Sequence, residues 1–201
     1  MYVALERVFR QIENELYALD TESAQLHPRA LAYKWTAQQV VEHLVLGYQS
    51  TTKALNSRLS KGRLPRMKKP TALQWSLKCM VLGFGYMPQG APALDETLPA
   101  GNFAPMDGRQ LGELLHHELS TMDRALDECR RQFGIERIAI HPWLGPLRAD
   151  QWRRFHTIHG QHHVAQLHSI VTEVLPALSS SAFVNNSLTE KLQIPVQRSL
   201  T

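Results

Sequence analysis

Ten histidines in a chain of 201 residues are the side chains best able to do chemistry, and they are unevenly placed. Five of them, His156, His159, His162, His163 and His168, fall in one segment that reads WRRFHTIHGQHHVAQLH. On a helix, residues four apart lie about 40° from one another and one turn apart. His159 and His163 therefore point at the same small volume, the chelating geometry of an H-x-x-x-H helix. His156 and His162 flank that pair, and His168 points away from it.

Two imidazoles supply at most half of a tetrahedral site, and a catalytic metal commonly takes three protein ligands and leaves one position open. A third ligand must then come from another element. His43 is the first choice. It sits in WTAQQVVEHLVLGYQS, where Val40, Val41, Leu44 and Leu46 mark a largely buried helix, and a core-facing imidazole is costly without a partner. The plain alternative for each of the three is a hydrogen-bonded core histidine. His162 or Gln166 is a candidate to orient ligands from behind, and His141 to approach from a loop, at distances the sequence does not set. His116 and His117 are adjacent, diverge by about 100° and read as exposed helix positions.

Other catalytic patterns are missing from the sequence. There is no H-E-x-x-H, no G-x-S-x-G and no phosphate-binding glycine loop. The two cysteines, Cys79 and Cys129, have neither C-x-x-C spacing nor a local base, and read as buried packing. Trp35, Trp143 and Trp152 are expected to wall the mouth of the helical core and its loops.

The elements that must position these residues are helical. Val3, Leu5, Val8, Phe9, Ile12, Leu16 and Leu19 make an amphipathic stripe ending near Asp20. Thr36, with Gln39 three residues on, opens a second helix that carries His43 and stops before Gly62. A short apolar helix follows over Leu73 to Leu82, closed by Gly83. The stretch from Met87 to Pro105 is rich in proline and glycine and predicts an irregular crossing. Asp107 caps a third long helix reaching Phe133, with Leu111, Leu115, Leu119, Met122 and Leu126 on its buried side. The histidine helix runs from Ala149 to Leu175, where Pro176 is expected to stop it. No strand is expected. The pattern predicts an all-α four-helix bundle with one short extra helix and a long crossover, occupying residues 1–175, and a tail or loosely docked extension at 176–201.

A hydrophobic fraction of 43% suits one such domain with a sizeable core. Sparse cysteines, an N-terminus broken by Glu6, Arg7 and Arg10, and the lack of any long apolar run predict a soluble cytoplasmic protein with no membrane partner. Arg58, Lys61, Arg63, Arg66, Lys68 and Lys69 crowd one loop without an acidic residue. That run reads first as a solvated loop and second as an anion-attracting rim for a charged substrate. With no aromatic interleaving and no reading-helix motif, nucleic acid is not expected as a partner.

Four motifs together resemble the DinB-like superfamily of metal-dependent enzymes, in an uncharacterised branch. They are W-T-x-x-x-x-x-E-H-L at Trp35 to Leu44, Y-M-P-Q-G-A-P at Tyr86 to Pro92, H-P-x-L-G-P-L at His141 to Leu147, and W-x-x-x-x-x-x-H-x-x-H-H-x-x-Q at Trp152 to Gln166. The resemblance spans roughly residues 30 to 170. It implies an up-down-down-up helix order and a metal held by one histidine of the second helix and two of the last. Those positions are His43, His159 and His163 here. It also implies zinc or nickel as the metal, with iron or manganese as further choices for three imidazoles. A small thiol cofactor, S-transfer or hydrolysis as the reaction, and a homodimer complete what it implies. The reading from a different class is a non-catalytic bundle that the metal stabilises or that binds a ligand without turning it over.

Overall fold

Capping residues set where the long helices begin. In the computed structural model, which describes residues 1–28, 35–88, 90, 93–101 and 103–191, with side chains as far as Pro176, Thr36 and Asp107 each accept a hydrogen bond from the backbone N–H three residues on. Gln39 and Gln110 answer with their side chains, which closes a capping box at both helix starts. Helix α2 spans Ala37–Lys61 and ends at Gly62, in the left-handed conformation that favours glycine. The other elements are α1 (Val3–Leu16), α3 (Ala72–Lys78), α4 (Gly108–Phe133), two strands, β1 (Arg137–His141) and β2 (Gly145–Arg148), and α5 (Ala149–Lys191). The described residues are thus mostly helical, with one small sheet.

The four long helices share one core. It includes Leu5, Val8, Ile12 and Leu16 of α1, Val41, Leu44, Tyr48 and Leu55 of α2, Leu111, Leu115, Met122 and Leu126 of α4, and Leu167 and Ile170 of α5. Contacts fix their relative directions. Thr51 meets His156 while His43 meets His159, so α2 and α5 run antiparallel. Gln38 accepts from Met106 N at the start of α4, and Cys129 Sγ reaches Leu55 O near its end, so α2 and α4 run parallel. Tyr2 N donates to Asp123 Oδ2 and Gly108 N to Leu19 O, which sets α1 antiparallel to α4. A buried ion pair locks the start of α5 to α4: Arg153 Nε lies 2.7 Å from Asp123 Oδ1, and its Nη2 lies 2.7 Å from Asp127 Oδ1.

Three expectations from the sequence are corrected. The segment read as a loop after Gly134 contains an antiparallel hairpin, β1 paired with β2. Its alternation was hidden by a register shift between Arg137 and Ala139, which puts Ile138 and Ala139 both inside, and by Pro142 and Pro146. A two-stranded ribbon needs support. Here Lys78 Nζ of α3 donates to Pro146 O at 2.6 Å.

The second correction concerns the short helix. α3 continues into a π-type turn, Cys79–Gly83, and of its apolar residues only Val81 and Leu82 are buried. Leu73 and Trp75 stay 69% and 61% exposed, and Cys79 is only half-buried. Third, α5 does not stop at Pro176 but carries it inside and runs on to Lys191. Proline there removes one backbone hydrogen bond, yet it lies on the exposed face, where the released carbonyl of Thr172 can be solvated, among the good helix formers Leu175, Ala177 and Leu178. The rest of the expected tail, 192–201, lies outside the described residues, as do Gln89, Ala91 and Pro92 of the Tyr86 to Pro92 motif. Among the described residues no helix is long and apolar enough to cross a membrane.

Candidate metal centre

The antiparallel pairing of α2 and α5 brings His43, His159 and His163 together, with one ligand-capable atom of each within 4.8 Å of the others. His159 Nε2 lies 3.1 Å from His43 Nε2 and 3.0 Å from His163 Nε2. The opposite ring nitrogens are tied off. His43 Nδ1–H donates to the carbonyl of Thr97 at 2.9 Å, and His163 Nδ1–H donates to Gln166 Oε1 at 2.9 Å. Those bonds fix the tautomers and leave both Nε2 lone pairs aimed at the same point. Trp35 packs on the His43 ring, and Phe155 stacks on His159 with centroids 5.4 Å apart and planes 13° from parallel.

This donor set fits a cation. With Nδ1 protonated on His43 and His163, two acceptors face a single His159 Nε2, which has at most one proton to give. At least one buried lone pair is then unsatisfied, a cost that a divalent ion removes. Tetrahedral ligation by imidazole at about 2.0–2.1 Å places ligand nitrogens about 3.3 Å apart, within a few tenths of the two distances above. Burial also holds the rings neutral, as ligation requires. His163 is pushed down to about 3, by desolvation first and His43 second. His159 falls well below 6.5 for the same reasons, with His163 and His43 both adding to desolvation, and burial lowers His43.

All three rings line a cavity of about 1270 Å³. Trp35, Trp143 and Trp152, expected as walls, all line it. So do His141, His156, His162 and Gln166, and of the two residues the sequence offered for orienting ligands from behind it is Gln166 that bonds a ring of the trio. His156 is buried, with Nε2 3.1 Å from the Thr51 hydroxyl and Nδ1 lacking a partner. His141 Nδ1 accepts from the N–H groups of Trp143 and Leu144, so this ring shapes the hairpin turn. His162 stands edge-on to His163. His116 and His117 are exposed as expected, and His168 turns away to Glu15. Glu42, next to His43, is also turned aside: it accepts from Gln38 and stays 1% exposed.

Two contributors had no visible signal in the sequence. Thr97 belongs to the irregular crossing and acts through its backbone carbonyl, which any residue could supply. Phe155 stacks on His159 from one turn earlier, and its spacing was legible only once His159 was taken as the central ligand.

A family model described as "Protein of unknown function (DUF1569)" matches residues 9–169, which contain every residue of this site. The chain belongs to the DUF1569 family. No curated protein and no solved structure matches it. The matched span begins within α1 and ends just past Gln166.

Proposed function

We propose that this DUF1569 protein is a metal-dependent enzyme whose divalent ion, zinc by first choice, is held by His43, His159 and His163. The observation that carries the reading is the convergence of three neutral imidazoles, two with the far nitrogen already bonded, on the wall of a large cavity. A structural metal would more often be enclosed by four protein ligands, whereas here three rings face open volume. When bound, the ion supplies a Lewis acid able to polarise an electrophile or to bring a thiol or water to its reactive form near neutral pH.

The protein's own part is to hold the rings and exclude bulk water. Thr97 and Gln166 set the ring orientations, while Trp35, Phe155 and Trp152 supply apolar wall. A thiol-dependent S-transfer or a hydrolysis is the proposed reaction class, on a small-molecule substrate. The scaffold we propose for it is a four-helix bundle in up-down-down-up order, supported by the parallel pairing of α2 with α4 and by the antiparallel pairings of α1 with α4 and of α2 with α5. A homodimer, the assembly expected from the resemblance, is tested by sedimentation over a range of concentrations.

Elemental analysis of protein purified without an affinity tag tests the centre. About one equivalent of a first-row divalent metal is expected in the parent and little in His159→Ala/His163→Ala. His43→Ala retaining full occupancy would remove the site that spans α2 and α5. No uptake by the parent, even after incubation with zinc or nickel, would leave the non-catalytic reading.

A further inference from the structure

The cavity extends well beyond the three histidines, and α2 shows in which direction. His43, Gly47, Ser50, Ala54, Ser57 and Arg58 all line it, a single stripe along one face of the helix. Fifteen residues at the helical rise put the Arg58 backbone about 22 Å along the axis from that of His43. The side chains between them are small. At Gly47, one turn past His43, an added Cβ would meet nothing within 4 Å, so the helix backbone itself borders open space. Glycine in a helix interior is less favourable than alanine. That cost brings no closer helix packing here; what it leaves is room.

The far end of this channel is cationic. Arg58 lines the cavity, its Nε is buried without a hydrogen-bond partner, and among the described residues no carboxylate pairs with it. Lys53 lines the same stretch. Of the other basic residues in that run, Lys61, Arg63, Arg66, Lys68 and Lys69 are exposed and do not line the cavity. The acidic residues of the lining lie elsewhere. Glu96 accepts from Ser50, midway along α2 between His43 and Arg58, and Glu173 stands on α5 beyond His163, toward the opposite end. Between the ends the wall is largely apolar, with Leu77, Met80, Val81 and Trp143 among its members.

We infer that Arg58 is an anion anchor, and that the cavity takes an elongated amphipathic substrate with a carboxylate or phosphate at Arg58, an apolar body along α2, and its reacting group at the three histidines. A guanidinium without a counter-ion in a partly dry site is most readily satisfied by an anion that offers it paired oxygens. The identity of the reacting end rests on the metal reading above; the anchor does not.

The test uses metal-free protein, so that no bound cation competes for the anion and failure of the anchor is separate from failure of the metal centre. Calorimetric titration with decanoate, decyl phosphate and decanol compares two anions with a neutral chain of the same length. At least one anion is expected to bind about tenfold or more tightly than the alcohol, the scale of a hydrogen bond to a charged group. Arg58→Met should reduce that preference to about twofold or less, and Arg58→Lys should restore part of it. Gly47→Leu should weaken all three ligands together, by filling the channel, while zinc uptake persists. Which anion binds more tightly distinguishes a carboxylate from a phosphate substrate. Equal affinity for acid, phosphate and alcohol, an anion preference that survives Arg58→Met, or no binding of any of the three overturns the anchor.

Discussion

At the scale of single residues, the centre depends on which nitrogen of each ring is free. His163 could present either nitrogen to a ligand; the bond from its Nδ1–H to Gln166 selects Nε2. Gln166→Leu keeps the side-chain volume similar and removes that acceptor. The expected result is full metal stoichiometry at saturating zinc but an affinity lowered by about 10- to 100-fold, read by competition with a chelator. An unchanged affinity would mean that packing alone orients the His163 ring. Thr97 is not open to the same experiment, because its contribution to His43 is a main-chain carbonyl.

At the scale of elements, the position of α5 is set by a close approach next to His159. Gly160 follows His159, and a Cβ built there would lie 2.6 Å from Val8 Cγ1 of α1. Valine is stiff about its χ1, so the methyl cannot simply rotate away. Gly160→Ala gains up to about 1 kcal/mol of helix propensity but overpacks the contact by about 1–3 kcal/mol. A net loss is expected as a lower urea midpoint. In a Val8→Ala background the same substitution should become neutral or stabilising, and that reversal separates the α1–α5 contact from a general intolerance of alanine. The helix starts at Thr36 and Asp107 were readable because a capping box is a local device, written within four residues. The hairpin and the exposed face of α3 were not, because both depend on what packs against them: α3 is apolar in sequence yet bonds the hairpin through the polar side chains of Gln74 and Lys78.

At the scale of the whole molecule, burying neutral imidazoles links folding to pH. Burial pushes His141 down to about 4 and His156 to about 3, from 6.5. Below 6.5 the unfolded chain therefore takes up protons that the native protein refuses. Stability is complete above that value and falls with acidification until pH has dropped through the native values. In metal-free protein the thermal midpoint should begin to decline just below 6.5, where carboxylates are still ionised. A midpoint flat down to about 5 would contradict buried neutral histidines. The sequence by itself determined the helical periodicity, the caps, and the one-turn spacing of His159 and His163, because each is fixed by neighbours along the chain. Tertiary structure alone decided that His43, a candidate in the sequence, meets that pair, that the Thr97 carbonyl frees the right nitrogen of His43, and that Arg58 ends the same cavity. Those relations join residues up to 120 positions apart, and only the packing of α2 against α5 and of the crossing that carries Thr97 against α2 brings them together.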